Sequence, residues 1–181
     1  MHPIIKYAVH VIFTLSSRDK VLRQSRELGD AYQRLYDSLS VEQRNQGLRV
    51  PSMPGVDEDM RGWSLAELLE HNVIVNRTIS ASVRQLAHGE APHGAAVIDP
   101  KRDVMPSASM AGEEMQQLLA SIDAHVELVS ALGRLRGGAR SEHPVFGSFD
   151  AHKWHCMFAF HLSLHLTQAK WVVRELLSRE A

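Results

Sequence analysis

The stretch DAHKWHCMFAFHLSLHLTQAKWVVRE at positions 150–175 decides the fold. Its apolar residues recur every three or four positions over a length no strand reaches, which predicts one long helix starting at the N-cap residue Asp150. One side of that helix reads Trp154, Phe158, His161, His165, Gln168, Val172 and Glu175, so polar groups repeatedly occupy positions that should face a core. His161 and His165 lie four apart, on nearly the same face, and both imidazoles can reach one ion at about 2.0–2.1 Å. Phe160, Leu162, Leu164, Leu166, Trp171 and Val173 surround much of the remaining circumference. That is more apolar surface than one core stripe needs, and it predicts a homodimer.

Three further segments upstream carry the helical period. In the second, Ser64 and Glu67 form a capping-box pair, while Trp63 and Leu68 stand where a hydrophobic staple would. The buried stripe then runs through Leu68, His71, Val75, Ile79 and Leu86, and ends before His88 and Gly89. A first helix is expected from about Val21 to Arg44, with Leu22, Leu28, Tyr32, Leu35, Tyr36 and Leu39 on one side. A third is expected from about Ser109 to Leu132, with Met115, Leu118, Leu119, Ile122, Val126 and Val129 inward and Gly133 as its stop. The segment Ile4–Leu15 fits a short helix or an extended lead-in equally well, because Val9, Val11, Ile12 and Phe13 satisfy either period. Residues 1–20 are therefore left as an unassigned lead-in.

These segments make the chain all-α, a single four-helix-bundle domain over 1–181. The Pro- and Gly-containing stretch from His88 to Ala108 is longer than the usual connection between antiparallel bundle neighbours, so it reads as a long crossover between helices two and three. The linkers 45–62 and 137–144 complete the chain.

A length of 181 residues buries a sizeable core without disulfides or a structural metal. The 44% hydrophobic and 23% charged composition is that of a folded, soluble domain. Net charge is −1 and there is no long basic run, so nucleic acid is not an expected partner. The apolar stretch at 4–15 is too short to span a bilayer and lacks the features of an export signal, so neither membrane nor secretion is expected. A lone cysteine, Cys156, permits no intrachain disulfide and no purely thiolate metal site; a cytoplasmic location is the simplest reading.

His71 sits in the apolar stripe of another helix, and facing helices of a bundle can converge such side chains on one ion. Three imidazoles would leave coordination positions open for water, a thiolate or a substrate oxygen. A hydrogen-bonded core histidine explains each of the three individually; the His161–His165 pair favours a metal, although such a spacing also occurs by chance in a chain with 11 histidines. Glu67 either orients His71 or serves only the helix cap. Gln168 either binds near the ion or satisfies a buried backbone group. His152 and His155 precede the main stripe and are expected at solvent, while His88 and His93 flank a loop. Cys156 diverges by about 100° from its neighbour His155, which makes it a packing residue rather than half of a dyad. Leu162 follows His161, so the glutamate of a zinc-protease motif is missing and proteolysis is disfavoured.

Trp63-Ser64-Leu65-Ala66-Glu67-Leu68-Leu69-Glu70-His71, His143-Pro144-Val145-Phe146-Gly147, Trp154 and His161-Leu162-Ser163-Leu164-His165-Leu166-Thr167-Gln168 resemble the DinB-like superfamily of metalloenzymes. The family pattern is a tryptophan-led second helix ending in a ligand histidine, an HPxFG turn, and HxxxHxxQ on the final helix. The resemblance covers helix two and the last forty residues. It implies a four-helix bundle with the long crossover, frequent dimers, and nickel, zinc or iron on His71, His161 and His165. It further implies a metal-dependent thiol S-transferase, isomerase or hydrolase acting on a small molecule, with a low-molecular-weight thiol as a possible second cofactor. The competing expectation is a non-catalytic metal-binding or scaffold bundle, and a third is a vacant site whose histidines bond one another.

Overall fold

The undecided N-terminal segment is a helix. The structure, a computed structural model, describes residues 3–90, 103–107 and 112–179. Its first helix, α1 (Pro3–Leu15), places Val9 and Phe13, four residues apart, against the last helix of the chain. A second helix, α2 (Arg18–Asp37), starts at once, because the Ser17 side chain accepts a hydrogen bond from Lys20 N. Arg136 donates to the carbonyls of Thr14 and Ser16 at the end of α1. Arg18 donates to Leu132 O and Gly133 O, so two arginines far apart in the chain satisfy carbonyls that a helix end leaves free.

Helix one of the sequence reading breaks in two. α2 ends at Asp37, and a separate turn, α3 (Val41–Arg44), follows. The cause is Ser40, whose hydroxyl accepts from Gln43 N while the Gln43 side chain accepts from Ser40 N, a complete capping box that starts a new helix. After a short 3-10 turn at Glu58–Met60 comes α4 (Leu65–Ala87), with the expected box between Ser64 and Glu67 in place. α5 (Glu114–Ala131) stops with Leu132 in an extended conformation, one residue ahead of Gly133. Its expected first residues at 109–111 lie outside the described part, as does most of the crossover 88–108, and Gly112 and Glu113, expected in the helix, form a turn ahead of it.

The stretch taken as a linker before the last helix holds a two-stranded antiparallel hairpin, β1 (Arg140–His143) and β2 (Gly147–Asp150), with His143 opposite Gly147. His143 Nδ1 accepts from the backbone N–H groups of Val145 and Phe146, which closes the turn, and Gly147 takes a positive φ of 80°. The hairpin delivers Asp150 to its cap on Lys153 N, where α6 (Ala151–Ser178) begins.

α2, α4, α5 and α6 pack as a bundle, and α6 also meets α1 and β2. This corrects the reading of α6 as carrying spare apolar surface. Leu162, Leu166 and Val173 are buried and Phe160, Leu164 and Trp171 half-buried, because neighbours cover the helix from several sides. The exposed apolar residues concentrate instead on α1: Ile4, Ile5, Tyr7, Ile12 and Leu15. Among the described residues, no helix is long and apolar enough to cross a membrane.

Candidate metal centre

Two helices fixed at their starts by side-chain caps bring the three predicted histidines together. On α4, Leu65, Leu68, Leu69 and Val73 are fully buried around His71, which is itself 1% exposed. On α6, His165 is 2% exposed and His161 half-buried. The rings of His71, His161 and His165 lie 5.1, 4.7 and 4.6 Å apart, centre to centre, and one nitrogen from each falls within 4.8 Å of the others. This buried group can hold a metal ion. The Trp63 ring packs against His71 at 5.0 Å.

Hydrogen bonds fix which nitrogens face the centre. Val104 O can only accept, so His71 Nδ1, 2.7 Å away, carries the proton and leaves the Nε2 lone pair free. Gln168 donates its amide to Met60 O at 2.7 Å, which turns its carbonyl oxygen toward His165 Nδ1 at 3.1 Å. His165 therefore also donates from Nδ1 and presents a bare Nε2. His161 Nε2 lies 3.2 Å from His71 Nε2, and its Nδ1 is buried without a hydrogen-bond partner among the described residues. Two imidazole nitrogens bound at about 2.0–2.1 Å to one tetrahedral ion stand about 3.3 Å apart, so the observed spacing fits a shared ion.

Electrostatics keeps all three rings neutral. Burial lowers the pKa of His71, with the Val104 carbonyl opposing. Burial, then repulsion from His165, His71 and His143, pushes His161 well below its ordinary value. Burial and the neighbouring His71 bring His165 to about 3, against the pull of Gln168. Neutral imidazole is the form that ligates a cation.

No family model, curated protein or solved structure matches this chain.

The remaining candidates separate cleanly. Glu67 uses one carboxylate oxygen to accept from both Ser64 N and Ser64 Oγ, at 2.8 and 2.9 Å, at the start of α4. His88 is exposed at the end of α4, and His93 lies outside the described residues. His152 and His155, expected at solvent, are 3% and 0% exposed. The reason is α1 and α2, which cover the first turns of α6: His152 Nε2 donates to Phe13 O at 3.0 Å, and His155 Nε2 donates to Arg18 O at 3.3 Å. His155 Nδ1 then accepts from His125 Nε2 at 3.0 Å, and His125 Nδ1 faces Ser80 Oγ at 2.8 Å. His125 could have been found, since it falls three after Ile122 and four before Val129 on the inward stripe of α5. Cys156 packs 3.6 Å from His152 Nε2, and burial pushes its thiol up to about 12, which makes it inert at neutral pH.

Proposed function

We propose that the protein is a divalent-metal enzyme with His71, His161 and His165 as its ligands. The observation that carries this is a pair of hydrogen bonds, His71 Nδ1 to Val104 O and His165 Nδ1 to the Gln168 carbonyl oxygen, which leave two bare Nε2 atoms in one buried cluster with a third imidazole. Two bare Nε2 atoms converging with a third imidazole make a donor set that a divalent ion takes, with the outer hydrogen bonds holding the rings in place. When bound, zinc, nickel or iron supplies Lewis acidity toward a water, a thiol or a substrate oxygen. The three histidines, neutral in the fold, would hold the ion, and Val104 and Gln168 would keep two of the rings in ligating register.

The DinB-like pattern of Trp63, His71, the His143–Gly147 turn and the final-helix histidines supports a thiol S-transferase, isomerase or hydrolase acting on a small molecule, with a low-molecular-weight thiol as co-substrate or cofactor. Replacing His161 with alanine should abolish turnover while the helical content measured by circular dichroism is retained. Unchanged turnover in that variant would sink the enzyme reading.

A non-catalytic ion-holding bundle is the second reading, and the near-complete burial of His71 and His165 favours it. Metal retained with no turnover on any thiol-transfer or hydrolysis substrate would select it. Either reading is compatible with a homodimer, for which the apolar face of α1 is the available surface. Sedimentation should show a dimer that Ile12→Glu dissociates; a monomer at every concentration would contradict association.

A further inference from the structure

We propose that Glu70 is a positioning residue for the metal centre, acting through the chain segment 103–107. The proposal rests on the three-histidine metal reading. Glu70 is a carboxylate only 2% exposed, one residue before His71 on α4. Its Oε1 accepts from both Ser107 N and Ser107 Oγ, at 3.0 and 3.1 Å. Three residues earlier, Val104 O accepts the His71 Nδ1 proton at 2.7 Å. Side chains of consecutive helical residues diverge by about 100°, so Glu70 and His71 grip the same five-residue segment at two separated points.

The segment belongs to no helix or strand, and among the described residues no backbone-to-backbone hydrogen bond ties it to the rest of the protein. Val104 is buried, Met105 and Pro106 are half-buried with Met105 against the core, and Asp103 and Ser107 are exposed, so the middle of the segment is seated and its two ends lie at the surface. The carbonyl that sets the His71 tautomer is carried by a loop that the Glu70 carboxylate holds at its far end. A carboxyl group suits this task, since one of its oxygens can take an N–H and an O–H together. In this arrangement Glu70 never touches the ion. Its effect passes from Ser107 along the segment to Val104, and from there to the His71 ring.

The test uses the full chain, with zinc as the probe. Zinc affinity is read by chelator competition, and the His71 tautomer by nitrogen NMR of the zinc-free protein, for wild type, Glu70→Ala, Glu70→Gln and Ser107→Pro. Glutamine keeps an oxygen acceptor, so Glu70→Gln should bind zinc within about threefold of wild type, whereas Glu70→Ala should lose about tenfold or more, the range seen when outer partners of metal-bound histidines are removed. Ser107→Pro, which removes the N–H and the hydroxyl at an exposed position, should match Glu70→Ala even if that variant folds poorly. In both, His71 should lose its exclusive Nδ1–H form. Wild-type affinity together with an unchanged His71 tautomer in Glu70→Ala and Ser107→Pro would overturn the proposal. Wild-type protein that binds no zinc would defeat the three-histidine reading instead, and the tautomer would still decide what Glu70 does.

Discussion

The Nε2 atoms of His71 and His161 stand 3.2 Å apart, although 90 residues separate them in the chain. His71 reaches that position with its other nitrogen already engaged by a backbone carbonyl, and His165 with its other nitrogen engaged by Gln168. The centre is therefore built from its outer partners inward.

Gln168 is the partner most easily removed. In Gln168→Leu, His165 loses the acceptor that fixes its Nδ1 proton and Met60 O loses its donor. Metal affinity should fall by about 10- to 100-fold, with the helical spectrum unchanged. A titration in which Gln168→Leu binds zinc as tightly as wild type would remove Gln168 from the site.

Acid should destabilise the metal-free protein early. Burial, with repulsion from His155, lowers His125 to about 3, and burial lowers His155 to about 4, against an ordinary value of 6.5. In the unfolded chain both regain the ordinary value, so below it the unfolded state binds more protons than the folded one. The stability contributed by these neutral rings is complete above the ordinary value and declines as pH falls toward the folded values, by about 1.4 kcal/mol per pH unit for each ring. Urea midpoints measured with a chelator present should stay flat from about pH 8 to 7 and drop steadily below about pH 6.5. A midpoint that rises on acidification would contradict the buried neutral pair.

Tyr32 ties three helices together beside the centre. Its hydroxyl donates to Leu162 O at 2.9 Å and accepts from Asn72 Nδ2 at 3.1 Å, so it joins the residue after His161 to the residue after His71. Tyr32→Phe leaves that buried amide without its acceptor and should lower unfolding free energy by about 1–3 kcal/mol in urea. Equal or greater stability would mean that the hydroxyl contributes nothing.

Local chemistry made part of this legible in the sequence. Ser64 with Glu67, and Asp150 before an apolar run, announce helix starts through side chains that act within three residues, and both starts stand where expected. His71, His161 and His165 were legible because each lies in an apolar stripe. The break between Asp37 and Ser40 was legible too, through the Ser40–Gln43 box, but the apolar pattern running across it suggested one helix. His152 and His155 were misplaced at solvent because the covering chain is α1 and α2, and the period of α1 was ambiguous between helix and strand. Val104 supplies a carbonyl, which every residue possesses, so no side-chain signal could have pointed to it.

Elemental analysis of untagged protein purified without chelator tests the central claim most directly, with His71→Ala and His161→Ala measured alongside. The three-histidine centre predicts close to one equivalent of zinc, nickel or iron in the wild type and loss of that metal in both variants, each still helical. A wild-type protein that holds no metal even after reconstitution with each ion, or variants that keep it, would contradict the account.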